Sequence, residues 1–232
     1  MSICFETWAQ EKLTPAQQFT RDIVNKATSL AAIPPEFIMT SNPHVKPYGA
    51  TLATARWGAN TIYVCWENPD PAFSEAMSWV REAVRSSWEK YSKLKFPGWE
   101  KCASLSTGIR IQIIDEGPRT ETIGHYLDGM KNGMKLNFTF SKWGDSCKQT
   151  LEYCVKAIAV HEFGHAIGFT HEQNRPDAPG ECRLLSQATD PDKLLTPYDP
   201  NSVMNYCNKK YNNGGILSSL DIQAVQTLYK AP

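Results

Sequence analysis

Three histidines and a glutamate stand at spacings that suit a metal-activated hydrolase: His161, Glu162, His165 and His171, in the run HEFGHAIGFTH. Histidines four residues apart lie about 40° from each other around a helix, so both imidazoles can reach one ion. Glu162 is turned by about 100° from His161 and about 60° from His165, which lets it reach a metal-held water without becoming a ligand. Gly168 accepts the positive φ that ends a helix, and the reversal brings His171 back as a third donor. Three neutral nitrogen donors with a fourth position open describe catalytic zinc, whereas a structural site is closed by four protein ligands. Such an ion lowers the pKa of its water to about 7 and polarises a carbonyl. One Zn2+ is therefore the expected cofactor, with Glu162 as general base. His44 and His125 have no partner at ligand spacing and read as ordinary imidazoles.

The elements that must carry this run follow from periodicity. Residues 150–168 are apolar on almost every side (Leu151, Val155, Ile158, Val160, Phe163, Ile167), the pattern of a helix inside a domain. Asp70 as N-cap with Pro71 after it opens another long helix, with Phe73, Met77, Val80, Val84, Trp88 and Tyr91 on one buried stripe. Thr61 to Trp66 and Gly108 to Ile114 read as strands. In Lys135 to Phe140, Leu136, Phe138 and Phe140 alternate with polar residues as in a half-exposed strand. Residues 176–215 are dominated by Pro, Asp, Asn and Gly and predict an irregular lobe. Ser218 with Asp221 is a capping box for the last helix. Upstream, Thr14-Pro15 starts a helix that Pro34-Pro35 ends, and a Pro, Gly, Asn and Thr-rich stretch follows to about Asn60. Residues 1–58 therefore read as an N-terminal extension, a pro-segment or helical cap, and 59–232 as the catalytic domain.

Lys plus Arg equal Asp plus Glu at 24 each, with no basic stripe, so nothing points to nucleic acid or an anionic membrane. No apolar run is long enough to span a bilayer, and a monomer is expected. The N-terminus lacks the charged start and apolar core of a signal peptide. Seven cysteines nevertheless favour an oxidising compartment, so secretion is expected, with a leader removed or another export route. Cys182 and Cys207 both fall in the irregular lobe, which needs cross-links most. A bond between them would close a loop of roughly 25 residues and contribute roughly 3–4 kcal/mol in the chain-entropy estimate. Two buried free thiols are the alternative.

HExxHxxGxxH followed by a downstream methionine turn resembles the metzincin clan of zinc peptidases. The continuation through Glu172, Arg175 and Asp177, and Ser202-Val203-Met204-Asn205-Tyr206, are similar to the astacin family. The resemblance implies an α+β fold: a twisted, mostly parallel sheet with two long helices over an irregular C-terminal lobe, and a cleft between. It implies a zinc-dependent endopeptidase that hydrolyses proteins or peptides through a zinc-bound water and Glu162. Met204 would form the floor beneath the metal, and Tyr206 would swing to stabilise the tetrahedral intermediate. Glu172 would lie in a polar network under the site. Leu136, Asn137 and Phe138 would form the edge strand that pairs with substrate.

The chain also departs from the astacin pattern. Ala178-Pro179-Gly180 follow Asp177, Asn205 stands where astacins usually carry histidine, and the C-terminal helix is closer to a matrixin's. The competing reading is a latent or catalytically silent zinc-binding relative whose N-terminal segment blocks the cleft. In that reading Cys4 is a candidate for the fourth metal position.

Overall fold

The computed structural model describes residues 51–187 and 190–232. The expected helix from Thr14, His44 and Cys4 lie outside the described residues. Among the described residues five strands, β1 (Val64–Trp66), β2 (Gly98–Lys101), β3 (Ile109–Ile113), β4 (Arg119–Thr120) and β5 (Met134–Leu136), form one sheet in the order β2-β1-β3-β5-β4. All pairs are parallel except β4 with β5. Strands β1 and β3 are buried almost throughout, as a parallel sheet covered on both faces requires. The mixed α+β architecture is the expected one.

Among the described residues five α-helices accompany the sheet: α1 (Ser74–Ser86), α2 (Trp88–Tyr91), α3 (Leu151–Ala166), α4 (Gly180–Arg183) and α5 (Ser219–Tyr229). Asp70 caps the turn that leads into α1, its side chain accepting from the Ala72 amide at 2.9 Å. The sequence predicts one helix through Tyr91, but it breaks at Ser87 (φ −112°, ψ −94°). The Ser86 and Ser87 hydroxyls both donate back to the Ala83 carbonyl, the competition with the backbone that bends helices at serine. The break turns Trp88 into the core, where it stacks on Phe169 and its indole donates to the Val160 carbonyl of α3 at 2.8 Å. Helix α1 packs along α3, which also contacts β4 and β5. The Ser218 capping box of α5 forms as expected.

Two expectations need correction. Lys135 to Phe140 is neither one strand nor an edge: β5 ends at Leu136 and lies between β3 and β4. The Asn137 Oδ1 accepts from the amides of Thr139 and Phe140, an Asx-type turn that ends the strand. Leu136, Asn137 and Phe138 are buried, and the sheet's edges are β2 and β4. Residues 51–58 are also packed into the body. Thr51 bridges to Phe169 and Lys193, the Trp57 indole donates to the Ala166 carbonyl at 2.7 Å, and Arg56 donates to the Leu228 carbonyl at 2.7 Å.

The expected Cys182–Cys207 disulfide is present, with Cys65–Cys102 and Cys147–Cys154 beside it. No described helix is long and apolar enough to cross a membrane.

Gly124 gives a direct test of how tightly residues 51–58 are held. It has φ +59°, and a Cβ there would stand 1.8 Å from the Ala55 carbonyl oxygen. Gly124→Ala should lower stability by at least about 2 kcal/mol, near the upper end of single-substitution effects, read as the denaturant midpoint. An unchanged midpoint would mean that the segment does not pack there.

Candidate metal centre

Helix α3 is buried all round, and its last turns carry His161, Glu162 and His165. Gly168, at φ +105°, ends it. Its amide donates to the His165 carbonyl (3.0 Å) and the Phe169 amide to the Gly164 carbonyl (2.9 Å), the paired bonds of a Schellman end. The reversal returns His171 to the other two histidines. His165 Nε2 lies 3.1 Å from His161 Nε2 and 3.1 Å from His171 Nε2.

Each ring is fixed from behind. His161 Nδ1 faces the Val203 carbonyl at 2.8 Å, His165 Nδ1 the Phe169 carbonyl at 2.8 Å, and His171 Nδ1 the Gln187 carbonyl at 3.4 Å. A carbonyl can only accept, so each Nδ1 carries the proton and each Nε2 presents a lone pair. Burial strips these rings of solvent and holds them neutral: His161 is pushed down to about 3, by burial first and the neighbouring His165 second. Burial lowers His165 to about 4 and holds His171 well below the ordinary value. Three lone pairs converging on one buried point repel unless a cation joins them. Tetrahedral donors about 2.0–2.1 Å from zinc stand about 3.3–3.4 Å apart, close to the 3.1 Å spacing here. The donor set fits one zinc ion. Among the described residues these three form the metal-capable cluster; His125 stands apart, against Tyr126.

Glu162 follows His161 and is 5% exposed, and its Oε2 has no hydrogen-bond partner. Burial pushes its carboxyl up to about 8, against the pull of the Thr120 backbone and the Arg119 charge. The Tyr206 ring stacks on His161 (centroids 5.3 Å apart, planes at 17°) and leans on His171 at 4.5 Å. Burial and then Glu162 raise its phenol above the ordinary value. Met204 is buried against Gly164, where an added Cβ would stand 2.4 Å from its sulfur. The Met204 carbonyl accepts from the Glu172 amide at 2.9 Å. Glu172 accepts from the Asp199 amide at 2.8 Å and pairs with the fully buried Arg175 at 3.4 Å.

The structure thus gathers His161, His165, His171, Glu162, Tyr206 and Met204 into one site. Leu136, Asn137 and Phe138 stay outside it, buried at the end of β5 and in the turn that follows. Sequence reasoning missed Gly164, which makes room for Met204, although a glycine inside an apolar helix is a signal of close approach. The carbonyls of Val203, Phe169 and Gln187 could not be read, because any residue type supplies one.

In its parallel sheet and its buried helix bearing three converging histidines before a methionine turn, the chain resembles the metzincin class of zinc peptidases. Comparison agrees: the model of the Astacin peptidase family matches residues 141–193. Zinc metalloproteinase nas-36 of Haemonchus contortus is 44% identical over 69 residues, which is 24% of this chain and 11% of that protein. Zinc metalloproteinase nas-25 of Caenorhabditis elegans is 26% identical over 178 residues, 69% of this chain and 38% of that protein. The chain thus spans well under half the length of these curated relatives. Myroilysin shares the fold at a TM-score of 0.57 and 18% identity, over 79% of this chain and 100% of its own. The chain is thus similar to the astacin family over residues 141–193 and, more loosely, to astacin-type zinc metalloproteinases beyond them.

Replacing the central donor tests the site. The parent should bind one zinc per chain in a titration against a chromophoric chelator. His165→Ala should bind it more than about 100-fold more weakly, since even loss of a supporting hydrogen bond costs 10–100-fold. Near-parent affinity would remove the site.

Proposed function

We propose that this protein is a zinc-dependent endopeptidase acting on proteins or peptides. The observation that carries the reading is the unpartnered, buried Glu162 Oε2 beside three neutral imidazoles whose Nε2 lone pairs converge. His161, His165 and His171 would hold the ion, which when bound supplies a Lewis acid for the scissile carbonyl and lowers the pKa of water.

The remaining chemistry belongs to the chain. Glu162 Oε2 takes the proton of the attacking water and hands it to the leaving amine. A cation in the triad favours the charged carboxylate that this needs, against the burial that raises it. The Tyr206 hydroxyl, kept protonated by burial, donates to the oxyanion as the tetrahedral state forms. Met204 packs beneath the histidine-bearing turn and keeps the site dry. Strand β4 replaces residues 136–138 as the substrate strand. It is the sheet edge nearest Glu162, and its Arg119–Thr120 backbone suits pairing with an extended peptide. A silent zinc-binding relative would have no use for Glu162 and Tyr206, and both stand beside the triad. Three disulfides among the described residues favour an oxidising compartment and hence export.

Two substitutions separate these roles, assayed on a peptide library with the zinc-loaded protein. Glu162→Gln should keep one zinc per chain yet lose about 10²–10⁴-fold in turnover. Comparable activity in the metal-loaded variant would refute the general base. Tyr206→Phe should lower kcat while leaving KM nearly unchanged. An effect confined to KM would make Tyr206 a substrate-binding residue instead.

A further inference from the structure

Of the three carbonyls behind the imidazoles, the one at Gln187 is the least secured by its own backbone. Phe169 is held by its amide bond to the Gly164 carbonyl, and Val203 by its amide on the Asp221 carboxylate. Gln187 lies in neither helix nor strand, and among the described residues its amide and carbonyl meet no other backbone group. One side chain takes both. The Asn174 carboxamide donates from Nδ2 to the Gln187 carbonyl at 2.6 Å, and its Oδ1 accepts from the Gln187 amide at 3.1 Å. The pair copies the two bonds that opposite residues exchange in an antiparallel sheet. Asparagine suits it because its side chain carries a donor and an acceptor side by side. Turned over, the carboxamide would set donor against donor and acceptor against acceptor, so the pairing admits one orientation.

Asn174 is in turn tied to His171. It ends the 3-10 turn Glu172–Asn174, is 8% exposed, and its amide donates to the His171 carbonyl at 3.2 Å. A closed ring of hydrogen bonds therefore runs from the His171 carbonyl through Asn174 to the Gln187 carbonyl, and back to His171 Nδ1 at 3.4 Å. That last contact is the longest of the three behind the imidazoles, so the place of its carbonyl matters most. The Gln187 side chain is exposed and contributes nothing to the ring. A separate tie joins the same two stretches without touching it: the Ser186 hydroxyl donates to the Gln173 carbonyl at 3.2 Å.

We propose that Asn174 is a positioning residue for His171: its carboxamide sets the Gln187 carbonyl behind the imidazole, and so aims Nε2 at the point shared with His161 and His165. Supporting hydrogen bonds of this kind fix the orientation of a ligating histidine and strengthen it as a donor. The inference rests on the zinc-binding half of the endopeptidase reading and needs no assumption about turnover.

The test uses the full chain in two forms. One is titrated with zinc against a chromophoric chelator. The other is loaded with cobalt(II), whose unpaired electrons carry the ring N–H protons of bound histidines clear of the rest of the proton spectrum. The parent should show one such exchangeable signal from each of the three rings. Asn174→Ala should bind zinc about tenfold more weakly, the low end of what loss of a supporting contact costs. Its His171 signal should broaden or vanish through exchange with water, while the other two persist. Ser186→Ala loosens the same loop but spares the ring of bonds, so it should stay within about twofold of the parent, as ordinary substitutions do, and keep all three signals. Parent-like affinity with three sharp signals in Asn174→Ala would overturn the proposal, as would an equal loss in Ser186→Ala. If Asn174→Ala does not fold, Asn174→Asp keeps the acceptor for the Gln187 amide and removes the donor. Its charge itself favours zinc, so it is judged on the cobalt form alone: loss of the His171 signal supports the proposal and three sharp signals overturn it. A parent that binds no zinc would sink the metal site and this inference with it, whereas a zinc-binding parent indifferent to Asn174 sinks the inference alone.

Discussion

Three imidazole lone pairs must share one buried point, and most of the irregular half of the molecule can be understood as the means of holding them there. Each ring keeps its useful tautomer only because a carbonyl stands behind it, and those carbonyls belong to Val203, Phe169 and Gln187. They come from the methionine turn, the helix-ending reversal and the loop after α4. None lies in a strand or an α-helix, so none is placed by regular hydrogen bonding. The lobe after Gly168 acts instead as a set of backbone acceptors, which is why supporting contacts count as much as the ligands in such sites. The Cys182–Cys207 bond joins the stretch before Gln187 to the stretch after Val203, and so ties two of the three acceptors together.

Polar side chains do the rest of the work that secondary structure does elsewhere. Asp221 completes the cap of α5, accepting from the Ser218 amide at 2.9 Å, and also accepts from the Val203 amide at 3.0 Å and the Ser202 hydroxyl at 2.6 Å. The Val203 carbonyl in turn takes the His161 Nδ1 proton. One carboxylate thus links a helix cap to His161 of the triad through a single residue of backbone. Asn205, where the astacin pattern usually has histidine, bonds the Tyr198 hydroxyl and the Asp199 carbonyl, both at 2.9 Å. It closes the turn by amide bonds.

What could be read in advance was local. The histidine spacing, Gly168, the Asp70 cap and the Ser218–Asp221 box each depend on a few neighbouring residues. The three imidazoles converge, Gly168 ends the helix and the box forms, while Asp70 caps the 3-10 turn before the helix it was expected to open. The Cys182–Cys207 pairing was legible because an irregular lobe with two cysteines has few other means of support. Edge status was not legible, because it depends on which strand lies outside which. Strand β4 is two residues long and carries no alternation, while residues 135–140 alternate well and are buried. The Asn137 turn left a signal in its Asn-x-Thr run that alternation masked. The break at Ser87 left one too, in two adjacent serines inside a helical stripe.

The clearest failure of local reading, the segment just before residue 59, has its cause in the far end of α3. A helix that ends inside the protein leaves carbonyls that water cannot reach, and each needs a donor. Gly164 and His165 are served by the reversal itself. The Ala166 carbonyl takes the Trp57 indole at 2.7 Å, and the Ile167 carbonyl takes the Tyr229 hydroxyl at 2.8 Å. The Gly168 carbonyl takes both the Leu52 amide at 3.0 Å and the Thr51 hydroxyl at 2.7 Å. Donors for one helix end therefore come from residues 51–57 and from the last turn of α5. Neither contribution shows in composition, since Thr51 to Gly58 looks like a linker until its partners are known. Yet without these donors the turn that delivers His171 would rest on unpaired buried carbonyls. By this accounting of hydrogen bonds, the body that holds the metal site begins no later than Thr51.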